Sequence, residues 1–302
     1  MDLRQLKVLV AIADHRSFSA AAAALHTVQS NVSSHVSHLE SELGVQLVDR
    51  QTGEVTEEGH AVVMRARRIA AELEAVVSDV AALHHDVAGT VHMGMIGTTA
   101  RWLAPLLLDR LAERHPRVRL VIGDGTSATL EPQLLTGALD AAVVNLPHSS
   151  PDLVEEALFE EDLILVVPAG HRLAGRSEVK MADLDAMELI LPAPHTAYRA
   201  EIDEAAKAAS IELIPKAEID GLRLIASLTI RGYGPAILPA TATAETGSGH
   251  ARITVEGLPQ RKVGVVLRRR ARPSAAARAM LEVLQEVVKD NLDPSDGLHP
   301  PG

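Results

Sequence analysis

Two groups of residues in this 302-residue chain have the types and spacing to do chemistry. The first is a run of amides and hydroxyls, Gln29, Ser30, Asn31, Ser33 and Ser34, followed a turn later by His38. Glutamine and asparagine pair bidentately with adenine edges, whereas serine makes weaker and less specific bonds. The second group is Thr98-Thr99, Thr126-Ser127, His195-Thr196 and Arg199. Hydroxyls and free amides at the start of a helix suit an anion, and Arg199 would neutralise an acidic ligand. Each of these also has a plainer reading, as a helix cap, a loop or a surface charge.

No constellation for catalysis accompanies them. GxSxG, HExxH and a Walker-type loop are absent, so an enzyme of those classes is not expected. His35 and His38 are spaced i, i+3 but have no third ligand nearby in sequence. His84 and His85 diverge by about 100° on a helix and read as surface residues. The chain has no cysteine, which rules out disulfides, thiol redox chemistry and Cys-ligated zinc. No catalytic residue, metal or cofactor is expected.

The elements that must position these residues are legible in the periodicity. Leu3, Leu6, Leu9, Val10 and Ala13 predict a first helix. Ser17 or Ser19 would cap a second, nearly all-alanine helix over 19–25, whose small side chains permit a close crossing. His26-Thr27 supplies a turn, with Thr27 the expected cap of a third helix. Val32, Val36, Leu39 and Leu43 form the apolar stripe of that helix and leave Ser30, Ser34, Ser37 and His38 on the opposite face. Gly44 ends it, and residues 45–56 suit a small hairpin wing turning at Thr52-Gly53. Two readings fit: a helix-turn-helix DNA reader, or an alanine-rich bundle with a solvated polar face. Four Lys/Arg against eight Asp/Glu in residues 1–58 count against a phosphate-binding surface.

From Glu57 to about Val87 one long helix is expected, with Val62, Ala66, Ile69, Leu73, Val76, Val80, Leu83 and Val87 in 4-3 alternation. Such a heptad seam favours a dimerising coil over a helix packed only on its own domain. Arg65, Arg67 and Arg68 lie early in it and either supply the reader's missing charge or form a solvated face. After Gly89 the texture becomes β-α-β, with strands over 91–97, 117–125 and 139–146. A second cycle follows, with strands over 162–168, 187–192, 214–220, AILP and 263–269 and a last helix over 274–289. Parallel sheets and two similar halves with a cleft between them are the expected result. The tail, 293–302, is expected to be disordered.

Composition sets the remaining bounds. A net charge of −11 argues against a polybasic coat without excluding one local DNA-binding face. Five aromatic residues are too few for a single-strand stacking platform. No run approaches a membrane span and no secretory signal opens the chain, so a cytoplasmic location without membrane contact is expected.

Residues 1–59 resemble the winged helix-turn-helix of LysR-type transcriptional regulators. The resemblance is carried by the LRQL opening, SFSAAAAALH, Gln29-Ser30, Val32-Ser33, Val36, Leu39-Glu40, Glu42-Leu43-Gly44, Leu47, Arg50, Thr56 and Gly59. It implies that Gln29, Ser30, Ser33 and Ser34 lie at DNA and that Arg50 meets phosphate. Departures are Val28 where the family usually has a Ser or Thr cap, Ser34 for a frequent Arg, Val48 for a common Phe, and a shorter wing with Glu54. Low affinity for a single half-site follows.

Beyond residue 89, GTT, LLTGALDAAV (134–143), EEDLILVVPAGHRLAG (160–175) and IRGYGPAILP (230–239) resemble the family's effector domain, which has the periplasmic-binding-protein fold. The resemblance implies chain crossings near Glu161 and Val263, and an effector pocket at Thr98, Thr99, Thr126, Ser127, Asn145 and the loop from Pro194 to Thr196. The expected organisation is α/β: a winged helix-turn-helix over 1–58, a dimerising linker helix over 59–88 and a two-lobed effector domain over 89–292. Lobe I would hold about 89–161 and 264–292, and lobe II about 162–263. The expected function is a ligand-responsive regulator that binds promoter DNA as a homodimer or homotetramer. A small anionic metabolite between the lobes would alter the geometry of the assembly. The alternative is a cytoplasmic small-molecule-binding protein with a degenerate DNA-binding domain. Lack of cysteine excludes the family's thiol-based peroxide sensing.

Overall fold

A computed structural model describes residues 1–83, 87–148, 150–243 and 249–302. The His84-His85 pair and residue 86 fall outside the described residues.

Four helices build the amino-terminal unit: α1 (Leu3–His15), α2 (Phe18–Ala24), α3 (Gln29–Leu43) and α4 (Glu57–Ala82). Asp2 and Gln5 form a capping box at the start of α1, and Ser17 caps α2 by accepting from the Ala20 amide at 3.4 Å. The apolar stripes meet as their spacing requires. Leu6, Leu9 and Ile12 of α1, Ala21 and Ala22 of α2, and Val32, Val36 and Leu39 of α3 share one core with Leu47, Val48, Val63 and Ala66. Thr27 is not the cap of α3. The helix begins one residue later, so Val28 takes the cap position with no side-chain hydrogen bond, and Thr27 Oγ1 instead accepts from Asn31 Nδ2 at 3.0 Å.

The wing between α3 and α4 is minimal, a single antiparallel bridge between Val48 and Val55. Its turn is held by Asp49 Oδ1, which accepts from the Gln51 and Thr52 amides at 2.7 and 3.2 Å. Gly59, in the first turn of α4, lies against this segment so closely that a Cβ there would stand 2.1 Å from the Leu47 carbonyl oxygen. The long helix stops at Ala82 with Leu83 as its cap, not at Val87.

The remainder contains β1 (Gly89–Ile96), α5 (Gly97–Arg114), β2 (Val118–Gly125), α6 (Ser127–Thr136), β3 (Ala141–Asn145), β4 (Leu153–Pro168) and β5 (Glu178–Lys180). These are followed by β6 (Glu188–Pro192), α7 (Ala197–Ala208), β7 (Ile214–Ile219), α8 (Leu222–Ile230), β8 (Ala236–Pro239), β9 (His250–Glu256), β10 (Gln260–Arg268), α9 (Ala275–Asp290) and β11 (Leu298–His299). The sheet is mixed where a parallel one was expected. β1 is parallel to β2 and β3, but β10 runs antiparallel to both β3 and β4. The reason is β4, a 16-residue strand that serves both halves. Leu153–Asp162 pairs with β10, and from Leu163 onward the same strand pairs with β8 and β9.

Each half has its own apolar core. One contains β1, β3, α5, α6, β10 and α9, with Trp102 edge-on to Phe159 at 5.3 Å. The other joins the distal half of β4 to β5, β6 and α7, with a satellite cluster under α8. The linker helix is docked on the first half, where Asp79 Oδ1 and Ser78 Oγ accept from the Ala275 and Ala276 amides at the start of α9 (2.9 and 3.0 Å).

The tail is ordered, contrary to expectation. Pro294–Asp296 forms a 3-10 turn, β11 pairs with β4 at Glu161 and Glu160, and Leu298 is buried. Its glycine and prolines suggest disorder in isolation, but the free edge of β4 offers the hydrogen bonds that order it.

Candidate DNA interface and inter-lobe cleft

The polar face of α3 projects outward as its 100° spacing demands. Gln29, Ser30, Asn31, Ser34 and His38 are exposed, and Ser33 is half-buried. Two of these side chains are held by neighbours. Gln29 Oε1 accepts from Ser19 Oγ of α2 at 2.9 Å, which leaves its amide donors free. Asn31 gives one amide proton to Thr27, which leaves its oxygen free. Such second contacts orient a base-reading amide before it meets DNA.

The acidic balance of this unit is less adverse in three dimensions than as a count. Asp2 caps α1, Asp14 pairs with Arg67, Glu42 pairs with the terminal amine, and Asp49 holds the wing turn. Glu40 accepts from the Leu47 amide at 2.9 Å and from Arg50 at 2.8 Å. No acid lies between Gln29 and Leu39. Arg50 is therefore not a free cation: besides Glu40 it donates to Ser37 Oγ at 2.9 Å, and it stacks over Phe18 at 5.7 Å. It sits at the edge of the α3 face, still partly exposed. Of the linker arginines only Arg65 is exposed; Arg67 is paired with Asp14, and Arg68 is turned away from the reader to the Leu135 carbonyl at 2.6 Å.

The heptad residues divide. Ala66 is buried in the core of its own domain and Val62 packs against it, because the start of α4 closes the helix-turn-helix. Ile69, Leu73, Val76, Val80 and Leu83 are exposed, Val76 by 60%. A cavity of about 540 Å³ opens beside this stripe, between α1, α4 and the base of the first lobe.

At the other end of the molecule, the carboxyl ends of β1, β2 and β3 lie side by side. They carry Thr98 and Thr99 in the first turn of α5, Thr126 and Ser127 at the start of α6, and Asn145 at the end of β3. Thr126 and Thr129 form a capping box, and Ser127 Oγ accepts from the Asn145 amide at 3.2 Å. Thr99 Oγ1 and Asn145 Oδ1 are buried and have no hydrogen-bond partner. A buried polar atom left unpaired costs free energy, and natural proteins keep such atoms where something else satisfies them.

The second lobe contributes differently from expectation. Thr196 caps α7, accepting from the Arg199 amide at 3.2 Å, and His195 is exposed, 3.8 Å from Asp220. Arg199 is not available to an anionic ligand. Its guanidinium is bound to Asp203 and Glu218, both at 2.8 Å, and to the Pro192 carbonyl at 2.9 Å. A cation that does reach the first lobe is Arg223, at the start of α8, whose guanidinium pairs with Asp124 at the end of β2. It packs over Gly97, where a Cβ would stand 3.1 Å from Arg223 Nε. Nothing in the sequence around Arg223 distinguishes it from other helix-start arginines, because its partner lies on the other lobe.

A second polar group, unforeseen from sequence, sits where the chain crosses between lobes. Glu161 on β4 is completely buried and accepts from the Thr241 amide and hydroxyl at 3.2 and 2.8 Å. Arg261, its partner in register on β10, lies 3.6 Å away and stacks over Tyr198 at 5.1 Å. Burial pushes the Glu161 carboxyl above the usual range, against the opposing pull of Arg261 and Thr241.

A helix-turn-helix with an exposed polar face, a helix with an exposed apolar stripe and a two-lobed domain with unsatisfied buried oxygens at the strand ends of its first lobe fit a ligand-responsive regulator. Comparison with known proteins gives the same answer. Residues 3–60 match the family of bacterial regulatory helix-turn-helix proteins of the lysR type, and residues 84–289 match the LysR substrate binding domain. The chain belongs to the LysR family and is a DNA-binding transcriptional regulator with an effector-binding domain. It is 30% identical over 295 residues to a probable hydrogen peroxide-inducible genes activator of Streptomyces viridosporus, covering 95% of each chain. It is 27% identical over 298 residues to the DNA-binding transcriptional dual regulator OxyR of Escherichia coli K12, covering 97% of this chain and 96% of that one. Among solved structures, a full-length OxyR cysteine-to-aspartate variant from Pseudomonas aeruginosa superposes with a TM-score of 0.75 at 25% identity, covering 96% of this chain and 95% of the other. CbnR in complex with its target DNA gives a TM-score of 0.68 at 27% identity, covering 96% and 99%.

Proposed function

We propose that this regulator answers a small anionic metabolite by non-covalent binding between its lobes, and not an oxidant by thiol chemistry. Relatives are named as hydrogen peroxide-inducible activators, and one similar structure is of a cysteine variant. Thiol oxidation proceeds through a sulfenic acid and a disulfide, and a chain with no cysteine has no atom to carry either step. The observation that carries the reading is the pair of buried, unpartnered oxygens, Thr99 Oγ1 and Asn145 Oδ1, beside the first turn of the 18-residue α5. A ligand there would be within reach of Thr98, Thr126 and Ser127, with His195 and Thr196 supplied by the opposite lobe, and would compete with Asp124 for the Arg223 guanidinium. The ligand would favour one arrangement of the lobes, and through α4 one assembly of subunits on promoter DNA. The protein acts in the cytoplasm as a homodimer or homotetramer joined by the exposed stripe of α4. No helix among the described residues is long and apolar enough to cross a membrane. With family relatives that are regulators, no enzymatic activity is assigned.

The test is thermal denaturation against a panel of carboxylate metabolites, with wild type and Thr99→Val in parallel. Removing an unsatisfied buried hydroxyl without changing side-chain shape should stabilise the free protein by roughly 1 kcal/mol. The same change should abolish stabilisation by the ligand. A ligand that stabilises Thr99→Val as strongly as wild type would place the effector elsewhere.

A further inference from the structure

Val28 stands at the start of the reading helix with no structural task. It occupies the cap position of α3, where a hydroxyl or carboxamide would satisfy an orphan amide and where valine satisfies none. Its side chain is 59% exposed, and no member of the amino-terminal core touches it closely enough to bury it. The other exposed large apolar residues before the wing, Met1, Leu3, Leu43 and Val45, lie at the start of α1 or at the far end of α3. Val28 alone borders the first turn, the part of a recognition helix that reaches base edges.

Its neighbours are already arranged for reading. On one side Gln29 is clamped by Ser19 and presents its amide donors. Asn31 is clamped by Thr27 and presents its oxygen. Between these polar groups an isopropyl group cannot hydrogen-bond, and only one feature of the major groove rewards an apolar contact: the C5-methyl of thymine. We propose that Val28 reads a thymine methyl at the base pair next to the one contacted by Gln29, so that α3 gives up a helix cap for sequence discrimination. This rests on the assignment of α3 as the recognition helix.

The experiment starts from in vitro selection of binding sites out of a random duplex library by the full-length protein. Each thymine of the selected half-site is then replaced in turn by deoxyuridine, which keeps the pairing face and lacks only the methyl. Wild type should lose affinity by about fourfold at one thymine, the worth of one methyl group removed from water. Val28→Ser should bind the thymine and deoxyuridine duplexes equally, and Val28→Ala, which keeps a single methyl, should show a diminished difference. The serine variant restores a cap, so its loss of discrimination cannot come from unfolding. Enrichment without a methyl effect at any thymine, or a methyl effect undiminished in Val28→Ala, would overturn the proposal alone. Failure to enrich any sequence would overturn the reading of α3 with it.

Discussion

Returning a serine to position 28 should strengthen the fold while weakening the reading of DNA. A cap hydroxyl on α3 is worth about 1 kcal/mol, and Val28, 59% exposed, supplies little packing that its loss would remove. Val28→Ser is therefore expected to denature at higher urea concentration than wild type. An unchanged midpoint would mean that the first turn of α3 is already satisfied by water. Glu40 offers a second residue-scale expectation, in pH. Burial alone would raise its carboxyl, but the Leu47 amide, the Arg50 guanidinium and the Val48 amide outweigh burial and hold it below 4.5. A carboxylate depressed in the folded state stabilises the fold above its unfolded value, and that contribution is lost as pH falls through the folded one. The Leu47 and Val48 amide resonances should thus titrate below pH 4.5, and Arg50→Gln should move their midpoint upward. At this scale the sequence was informative about α3, where the apolar stripe leaves Ser30, Ser34, Ser37 and His38 on the outward face, and all four are exposed. It misled about Arg199, because the carboxylates that occupy it come from Asp203, one turn on, and Glu218, on a strand 19 residues away.

Elements with one clear period were legible, and those that serve two environments were not. The helices read correctly to within a few residues because a stripe such as Val32, Val36 and Leu39 has one use. The first half of β4 went unread because LVEEALFEE places paired glutamates in a strand whose partners, β10 and β11, lie at the far end of the chain. The linker helix shows the same ambiguity. Its heptad is continuous in sequence, but Ala66 closes the helix-turn-helix while Leu73, Val76 and Val80 remain uncovered. Substitution should separate the two uses. Val63→Ala cuts into a packed core and should destabilise the amino-terminal unit by about 1 kcal/mol or more. Val76→Lys, at a site 60% exposed, should leave the melting of an isolated subunit unchanged and weaken self-association. Sedimentation velocity over a dilution series distinguishes them; a Val76→Lys protein that associates like wild type would remove the exposed stripe from the interface.

For the whole molecule, the question is what fixes one lobe against the other. The strand β4 runs through both, the chain returns between β9 and β10, and the Glu161–Arg261 pair sits at the crossing. The ordered tail adds a third tie. It leaves α9 of the first lobe, buries Leu298 in that lobe's core and accepts the Asp162 amide on Gly297 O at 2.9 Å. It then reaches the second lobe, where Arg252 of β9 donates to Asp296 Oδ1 at 2.9 Å and to its carbonyl at 2.6 Å. His299 Nε2 lies 3.0 Å from Asp162 Oδ2, on the segment where β4 changes partners. Deleting residues 293–302 should therefore free the crossing without emptying either core, since only Leu298 is shared with one. Arg252→Ala should release the tie to the second lobe while leaving β11 in place. Because the chain has no cysteine, spin labels on cysteines introduced at Leu108 and Glu204 report the lobe-to-lobe distance without background. The distance distribution should broaden in Arg252→Ala and broaden further in the deletion, with faster hydrogen exchange at Asp162 only in the deletion. Equal, narrow distributions in all three proteins would show that β4 and the β9–β10 connection alone set the angle between the lobes, and that the tail merely covers an open strand edge.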